Sequence, residues 1–267
     1  MPSPRLSALT IYPIKSCAGI PRTQARVTLR GLEHDRRWLI VDAHGEFRTQ
    51  RKLPHLALVQ PRIDGNRLVL SAPEQPDTEL PLVPDSGKPM SVQVWRDTVE
   101  AWQVSDGVDR WISEIVGEPS HLVWMPETTF REVDPERSPQ RHPVSFADGF
   151  PLLAISEASL DDLNSRLPEP VPMLRFRPNL ELSDTQPFAE DGWCKVSVGD
   201  LNFFGGEPCR RCVLTTVDPE SGTLAGPEPL KTLATYRKRQ GEVLFGQNWI
   251  PASEGWLEVG MAVAPES

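Results

Sequence analysis

The sequence PCRRCVLTTVD, residues 208–218, is the most informative stretch of this chain. It places two thiols, Cys209 and Cys212, three positions apart, with the guanidiniums of Arg210 and Arg211 between them. A neighbouring cation favours the thiolate, which is the form of cysteine that ligates metals and attacks electrophiles. Cys212 and Cys209 are therefore the first candidates for any chemistry that this chain performs.

Three other interpretations of the two cysteines must be weighed. One such pair makes a zinc site only with a second pair of thiols or two histidines. The histidines are scattered elsewhere in the sequence: His34, His44, His55, His121 and His142. A thioredoxin-like redox pair begins a helix, whereas residues 213–217 are mostly β-branched and predict a strand. The third interpretation, that both cysteines are ordinary buried thiols, stays open, although the two adjacent arginines favour a functional site.

The composition narrows the class of protein. The 267 residues suffice for one large β domain or two modest ones. There are 28 Lys and Arg against 37 Asp and Glu, and the net charge of −9 argues against general nucleic-acid binding. The 28 prolines argue against a mostly helical fold. No signal peptide and no stretch of ~18 apolar residues is evident, so we expect a cytoplasmic protein without membrane contact and with reduced thiols.

Strand and turn patterns dominate the chain. A short apolar run at residues 6–12 is stopped by Pro13 and predicts a first strand. Paired runs with turn residues between them predict three hairpins: 56–63 with 67–70 about 64–66, 92–95 with 99–102 about 96–98, and 196–198 with 201–203 about 199–200. Residues 128–143 are polar and contain proline, which predicts a long loop or a connection between domains.

Three helices are predicted from capping residues and apolar periodicity. Ser105 caps a helix that ends at Gly117, Ser156 caps residues 157–167, and Pro229 begins a helix that ends before Gly241. Strands clearly outnumber these helices.

The segment FRPN, residues 176–179, combines a proline turn with polar side chains. Pro178 restricts its neighbour, which predicts extended geometry at Arg177 and places Arg177 and Asn179 on the same side of a strand start. An arginine fork can bind a phosphate through two hydrogen bonds. In isolation, a surface arginine in a loop is an equally good interpretation.

Two segments near the start add further cations. In YPIKSC, residues 12–17, Lys15 and Ser16 follow a stopped strand and can present a cation and a hydroxyl to an anion. The upstream glycines of a Walker A loop are missing. Arg36, in DRRWL at residues 35–39, adds another cation before the next strand.

Taken together and in this order, these segments resemble the MOSC superfamily, whose domain also forms the C-terminal part of molybdenum-cofactor sulfurases. The resemblance is strongest to the amidoxime-reducing components of mitochondria and their bacterial relatives, and it covers nearly the whole chain. It rests on YPIKSC, DRRWL, SEASL at 156–160, FRPN, and RCVLTTVDP at 211–219 followed by Gly222. It implies a mostly β protein, in which an N-terminal β domain (1–120) packs on a MOSC β-barrel with a few helices (121–267).

The resemblance also implies a molybdenum cofactor, Mo-molybdopterin, in a cleft between the two domains. Cys212 matches the cysteine that ligates molybdenum, and Asp148 matches a carboxylate near the metal, so both are predicted to be catalytic. The other matched positions are predicted to bind the pterin and its phosphate: Lys15, Ser16, Arg36, Arg177, Asn179, Arg210, Arg211 and Asn248. A thiolate suits a soft metal that dithiolene sulfurs already hold.

The function that this resemblance implies is a two-electron reduction that removes oxygen from N-hydroxylated compounds, such as amidoximes, hydroxylamines and N-hydroxylated bases. Two alternatives stay open, namely sulfur transfer through a persulfide on Cys212 and non-catalytic carriage of the cofactor. No cysteine follows Cys212 and no dinucleotide fingerprint is present. We therefore expect electrons to come from a separate protein, a flavin reductase with a heme or iron–sulfur carrier. We also expect the chain to be a monomer.

Overall fold

The fold consists mainly of β-strands, and the computed structural model describes residues 3–138 and 140–266. In chain order the strands are β1 (Arg5–Ile11), β2 (Ile20–Arg22), β3 (Gln24–Thr28), β4 (Gly31–Leu32), β5 (Trp38–Asp42), β6 (Gln60–Asp64), β7 (Arg67–Ala72), β8 (Gln75–Pro81), β9 (Lys88–Val94), β10 (Asp97–Gln103), β11 (Ser120–Trp124), β12 (Leu152–Ser156), β13 (Leu180–Ser183), β14 (Lys195–Val198), β15 (Leu201–Arg210), β16 (Val217–Asp218), β17 (Thr223–Leu224), β18 (Lys238–Arg239), β19 (Glu242–Pro251), β20 (Gly255–Glu258) and β21 (Val263–Glu266). The helices are α1 (Asp106–Val116), α2 (Glu157–Asn164) and α3 (Leu230–Tyr236). The prediction of a mostly β protein with a few helices is confirmed.

The largest sheet has nine strands in the order β2-β1-β13-β12-β19-β15-β14-β21, with β18 paired to β19. One of its faces packs on a three-stranded sheet of order β20-β3-β4. The core between them joins Leu6, Leu182 and Trp249 of the large sheet to Val27 and Leu257 of the small one. Burial of this apolar surface fixes the register of the strands, because a shift of one residue would turn the apolar set outward.

A second core lies under helix α1. The four-stranded sheet β5-β11-β10-β9 and the three-stranded sheet β6-β7-β8 supply its strands. The Ser105 hydroxyl accepts a hydrogen bond from the Val108 N–H at 3.3 Å, and Gly117 ends the helix at φ 83°. Both caps agree with the sequence prediction, because serine satisfies a free N–H and glycine adopts the left-handed conformation without strain.

Strand pairing crosses the predicted boundary at residue 120. Strand β1 belongs to the nine-stranded sheet through its antiparallel pairing with β13, and β11, which spans the boundary, pairs with β5. The first and last parts of the chain therefore share sheets. The division into domains at residue 120 stays a prediction.

Two local predictions near the motifs are wrong. Residues 213–217 do not form one strand, because Val213–Thr216 is a 3-10 helix followed by β16. The Thr215 and Thr216 hydroxyls donate to carbonyls three residues back, at 3.0 and 2.7 Å, which stabilises the turn against β propensity. Arg177 is not extended but left-handed, at φ 55° and ψ 47°, because it caps the 3-10 helix Met173–Phe176.

Smaller differences between prediction and structure concern the residues at which strands and helices begin or end. Residues 54–58 form a 3-10 helix, so the first hairpin strand begins at Gln60. The turn of the second hairpin lies at 95–96, since Asp97 already pairs with Val94, and it places Trp95 at φ 59°. Helix α2 ends at Asn164, three residues before the predicted end.

We expect Gly205→Ala to destabilise the protein strongly. A Cβ at Gly205, within β15, would lie 1.9 Å from the carbonyl oxygen of Trp193, a backbone atom that cannot turn away. The strain should lower the free energy of unfolding by about 2–3 kcal/mol and the melting temperature by about 4–12 °C. Gly192→Ala is the matched control, because its Cβ would meet no atom within 4 Å. Equal melting temperatures for the two variants would contradict this packing.

Candidate functional site

A cleft between the first and last parts of the chain holds a cavity of about 790 Å³, including its open mouth. Every site residue predicted from the sequence lines it: Lys15, Ser16, Arg36, Asp148, Arg177, Asn179, Arg210, Arg211, Cys212 and Asn248. The fold therefore assembles, around one space, side chains that lie up to 233 positions apart (15 to 248) in the sequence.

The two cysteines of the CRRC motif differ in exposure. Cys212 is exposed at the cavity and lies two residues after Arg210, the last residue of β15. Its carbonyl accepts hydrogen bonds from the Thr215 N–H at 3.1 Å and the Thr215 hydroxyl at 3.0 Å. These bonds fix the turn after the strand, so the thiol is held at the cavity wall on a defined backbone.

Cys209 also lines the cavity, but it is half-buried against the apolar cluster around Phe245. Burial raises the pKa of the Cys209 thiol, although the nearby Arg211 guanidinium lowers it in part. Cys17, fully buried behind the cavity, has its pKa raised to about 12 by burial. Both thiols are therefore protonated at neutral pH, and Cys212 is the better candidate for a ligating thiolate.

Arg177 carries a charge without a carboxylate partner among the described residues. Its Nη1 donates to the Cys17 carbonyl at 2.6 Å, while its buried Nη2 has no hydrogen-bond partner in that part of the chain. Burial lowers the pKa of the guanidinium, and the charge of Arg36 adds to this. The two guanidiniums lie 4.2 Å (Arg177) and 4.7 Å (Arg36) from the centre of the Tyr12 ring. An anion in the cavity would relieve the repulsion between these like charges.

Arg36 is held in place by a buried network. Its Nη1 pairs with Asp35 at 2.5 Å and donates to the Asn179 Oδ1 at 3.0 Å. The Asn179 Nδ2 donates to Asp35 at 3.0 Å and to the Thr10 carbonyl at 3.1 Å. Burial lowers the pKa of Arg36, but the Asp35 carboxylate outweighs it and raises the pKa above its ordinary value. The Asn179 amide is thus engaged within the protein and orients Arg36.

Lys15 and Asp148 form an ion pair at the cavity. The Lys15 Nζ lies 2.5 Å from the Asp148 Oδ1 and 2.6 Å from the Phe146 carbonyl oxygen. Burial lowers the pKa of Lys15 to about 8, although Asp148 raises it in part. Enclosure by the cavity walls raises the pKa of Asp148, but Lys15 and a 3.0 Å hydrogen bond from the Trp95 indole outweigh it and hold that pKa well below its usual range. The Asp148 side chain, 68% exposed, is therefore a carboxylate facing the opening.

Three more guanidiniums surround the opening. Arg211 donates to the Phe245 and Phe176 carbonyls at 2.9 and 3.2 Å, which holds it against the wall. Arg210, half-exposed, lies 3.5 Å from a Glu207 oxygen. Arg51 also lines the cavity, with its guanidinium carbon 4.2 Å from the centre of the Trp95 ring. Arg51 and Trp95 belong to none of the sequence motifs, and no local signal could have identified them.

Ser16 and Asn248 complete the predicted set. The Asn248 Nδ2 donates to the Glu207 carbonyl at 2.9 Å. Ser16 lies in the left-handed region at φ 68°, as do Arg36 at φ 49° and Arg177 at φ 55°. Left-handed conformations at residues other than glycine cost about 1–3 kcal/mol each and cluster at functional sites. Three of the nine non-glycine residues with positive φ in the described part of the chain therefore line this cavity.

The cations and the exposed thiol that line the cavity fit an anionic cofactor whose metal accepts a thiolate. Lys15 and Arg36 have carboxylate partners. In residues 3–138 and 140–266, no carboxylate lies within 4.0 Å of the charged nitrogens of Arg51, Arg177 or Arg211. Arginine forks bind phosphate oxygens well, and a soft thiolate suits a metal with sulfur ligands.

Comparison with known proteins agrees with this architecture. The family model described as MOSC N-terminal beta barrel domain matches residues 3–119, and the MOSC domain model matches residues 141–264. The chain belongs to the MOSC-domain family, as its motifs predicted.

Two kinds of relative are similar to it. Mitochondrial amidoxime-reducing component 1 of Homo sapiens is 35% identical over 273 residues, covering 96% of this chain and 81% of that protein. Mitochondrial amidoxime reducing component 2 of Rattus norvegicus is 35% identical over 274 residues, with the same coverage of 96% and 81%. Molybdenum cofactor sulfurase of Oryza sativa subsp. japonica is 35% identical over 294 residues, which cover 98% of this chain but only 35% of that longer protein.

Within the described ranges, no helix combines the length and the apolar character needed to cross a membrane. The monomeric state and the cytoplasmic location stay predictions.

Proposed function

We propose that this chain binds a molybdenum cofactor in the cavity, with the Cys212 thiolate as the protein ligand of the metal. The observation that carries the proposal is the surplus of positive charge, above all the unpaired Arg177 Nη2, beside an exposed thiol. An uncompensated buried charge costs several kcal/mol, so the site is stabilised when an anion fills it.

The other predicted residues divide by the groups they offer. The cations Lys15, Arg36, Arg177, Arg210 and Arg211 are proposed to hold the phosphate and the pterin. Ser16 and Asn248 are proposed to supply uncharged polar contacts, and Asn179 keeps Arg36 in position. The bound cofactor would supply the two-electron chemistry, while the protein supplies orientation and electrostatics.

We further propose that the reaction is the reduction of N-hydroxylated compounds, such as amidoximes, hydroxylamines and N-hydroxylated bases. It consumes two electrons and two protons and releases the reduced nitrogen compound and water. The similarity to proteins named amidoxime-reducing components supports this substrate class. The ionised, exposed Asp148 can accept a hydrogen bond from an N–OH or N–H group, and so orient the substrate.

A second candidate function is sulfur transfer through a persulfide on Cys212. It is supported by the similarity to a molybdenum cofactor sulfurase, which covers nearly all of this chain. Arg211 and the other cations would then stabilise the anionic persulfide. A non-catalytic cofactor carrier would use the same cavity. Reduction of an N-hydroxylated substrate separates the reductase from both alternatives.

We expect this chain to use an artificial one-electron donor, such as reduced viologen, and not NADH alone. The chain has four cysteines, at positions 17, 194, 209 and 212, and Cys212 is assigned to molybdenum. An iron–sulfur cluster needs about four thiolates, and the sequence has no dinucleotide fingerprint. Electrons therefore come from a separate protein, a flavin reductase with a heme or iron–sulfur carrier.

The measurement is anaerobic turnover of benzamidoxime with either donor, using the purified chain loaded with cofactor. Protein without cofactor is the control for direct reduction by viologen. Robust turnover with NADH and this chain alone would show that the chain has a nucleotide site.

A further inference from the structure

A second cavity lies on the opposite side of the segment that carries Arg36. It has a volume of about 1070 Å³ including its open mouth. Arg36 lines the cofactor cavity, whereas the next residue, Arg37, lines this one. Similarly, Asp148 belongs to the first cavity and Ser145 to the second. The two spaces are therefore separated by two short backbone segments and need not share a ligand.

Two nearly buried guanidiniums form the wall of this second cavity. The side chains of Arg30 and Arg37 are only 12% and 13% exposed. Arg30 donates to the Thr129 carbonyl at 2.6 Å, and Arg37 donates to the Met125 carbonyl. Arg37 also lies over the Trp124 ring, 5.0 Å from its centre. These contacts, none of which involves a carboxylate, help to hold both guanidiniums in place.

Both guanidiniums form ion pairs with the same carboxylate, that of Glu127. Its oxygens lie 2.6 Å from the Arg37 Nη1 and 3.7 Å from the Arg30 Nε. The Glu127 side chain is 70% exposed and can turn into solvent. Burial, with the adjacent charge of Arg37, lowers the pKa of Arg30. Two cations thus share one exchangeable carboxylate, so another anion can take its place.

Other polar groups of the cavity are free for a ligand. The buried Ser145 Oγ and Arg37 Nε have no hydrogen-bond partner among the described residues. The remaining carboxylates, Glu33 and Glu254, pair with Arg26 at 3.5 and 4.0 Å. Neither of these two carboxylates forms an ion pair within 4.0 Å with Arg30 or Arg37.

The rim of the cavity is apolar on one side. Leu29 and Val83 both line it and are exposed by 38% and 53%. A ligand with an anionic end and a small organic body would cover them. A phosphate matches two guanidinium forks better than a carboxylate does, because it offers three oxygens and up to two charges.

We propose that this cavity is a second ligand site, which binds a small organic phosphate monoester between Arg30 and Arg37 after Glu127 turns away. The Ser145 hydroxyl and the Arg37 Nε supply further hydrogen bonds, and the organic group covers Leu29 and Val83. This site is independent of the cofactor proposal, because none of these residues lines the cofactor cavity.

The test is titration calorimetry of the full chain with phenyl phosphate and with inorganic phosphate. Phenyl phosphate should bind more tightly than inorganic phosphate, because only it covers the apolar rim. Glu127→Gln should tighten phenyl phosphate binding by about fivefold, since it removes the competing carboxylate. Arg37→Gln should weaken binding by about tenfold or more.

A misfolded variant would lose affinity, so the tighter binding expected for Glu127→Gln cannot result from misfolding. Arg177→Ala serves as the control for the cofactor cavity, and it should leave the affinity for phenyl phosphate unchanged. Wild-type affinity in both Glu127→Gln and Arg37→Gln would overturn the proposal. Loss of binding in Arg177→Ala alone would overturn it too, because the ligand would then occupy the other cavity.

Discussion

Replacement of Cys212 by serine should abolish reduction of N-hydroxylated substrates. Cys212 is the exposed thiol of the cavity, and a neutral hydroxyl is a poor substitute for a thiolate on a soft metal. Loss of residues that merely support a metal ligand costs about 10–100-fold, so loss of the ligand itself should lower kcat by about a hundredfold or more. The measurement is kcat with reduced viologen as donor, normalised to the folded protein.

Cys209→Ser is the matched control, three positions away in the same motif. The Cys209 thiol is half-buried and its pKa is raised by burial, so serine removes no thiolate there. This variant should keep most of the wild-type rate. If the two variants lose activity equally, the thiols act as a pair and the assignment of Cys212 alone as the ligand is wrong.

Replacement of Arg177 by alanine should strip the protein of most of its cofactor while the fold is retained. A hydrogen bond to a charged group contributes about 1.5–3 kcal/mol, so cofactor affinity should fall by about 10–100-fold. The buried Arg177 Nη2, which has no hydrogen-bond partner among the described residues, is the atom proposed to make that contact. Lys15→Ala should act in the same direction. Molybdenum and pterin are measured after gel filtration, with thermal unfolding as the test of the fold.

Arg166→Ala removes the same charge outside the cavity. Arg166 is 47% exposed on the surface next to α2, where it pairs with Asp162 at 2.9 Å. It should leave the cofactor content at the wild-type level. Wild-type content in Arg177→Ala and Lys15→Ala as well would show that these two cations are structural and that the anion is held elsewhere.

The elements that the sequence predicted correctly are those whose signals are local. Ser105 and Gly117 bracket α1 because a serine cap and a left-handed glycine act within one turn. The strand predicted at residues 213–217 is wrong for a different reason, because two local preferences compete there. Their β-branched side chains favour a strand in general, but here the Thr215 and Thr216 hydroxyls close a 3-10 turn.

The pairing of distant strands was beyond the reach of sequence patterns. The antiparallel pairing of β1 with β13 joins residues about 175 positions apart, such as Leu6 with Leu182. No periodicity within either strand names its partner. The sequence could therefore not show that β1 and β2 belong to the same nine-stranded sheet as β12 and β13, and the division into domains at residue 120 stays a prediction.

The candidate site was recognisable from the sequence only through its ordered motifs. Chemistry alone singled out Cys212 and a few cations, and the family resemblance added Asp148 and Asn248. Arg51 was missed because its role depends on position, beside Trp95 and at the mouth of the cavity. The left-handed backbone at Arg177 was missed because the residue before a proline normally avoids that conformation.

The most direct test of the proposed cofactor site is the amount of molybdenum and pterin bound by the wild-type chain. The protein is produced in a host that makes the cofactor, purified without reductant, and analysed for metal, pterin and cyanide-labile sulfur. We expect stoichiometric molybdenum and pterin in wild-type protein, and little molybdenum in Cys212→Ser. Cyanide-labile sulfur on Cys212 without molybdenum would contradict this expectation and would favour the persulfide function instead.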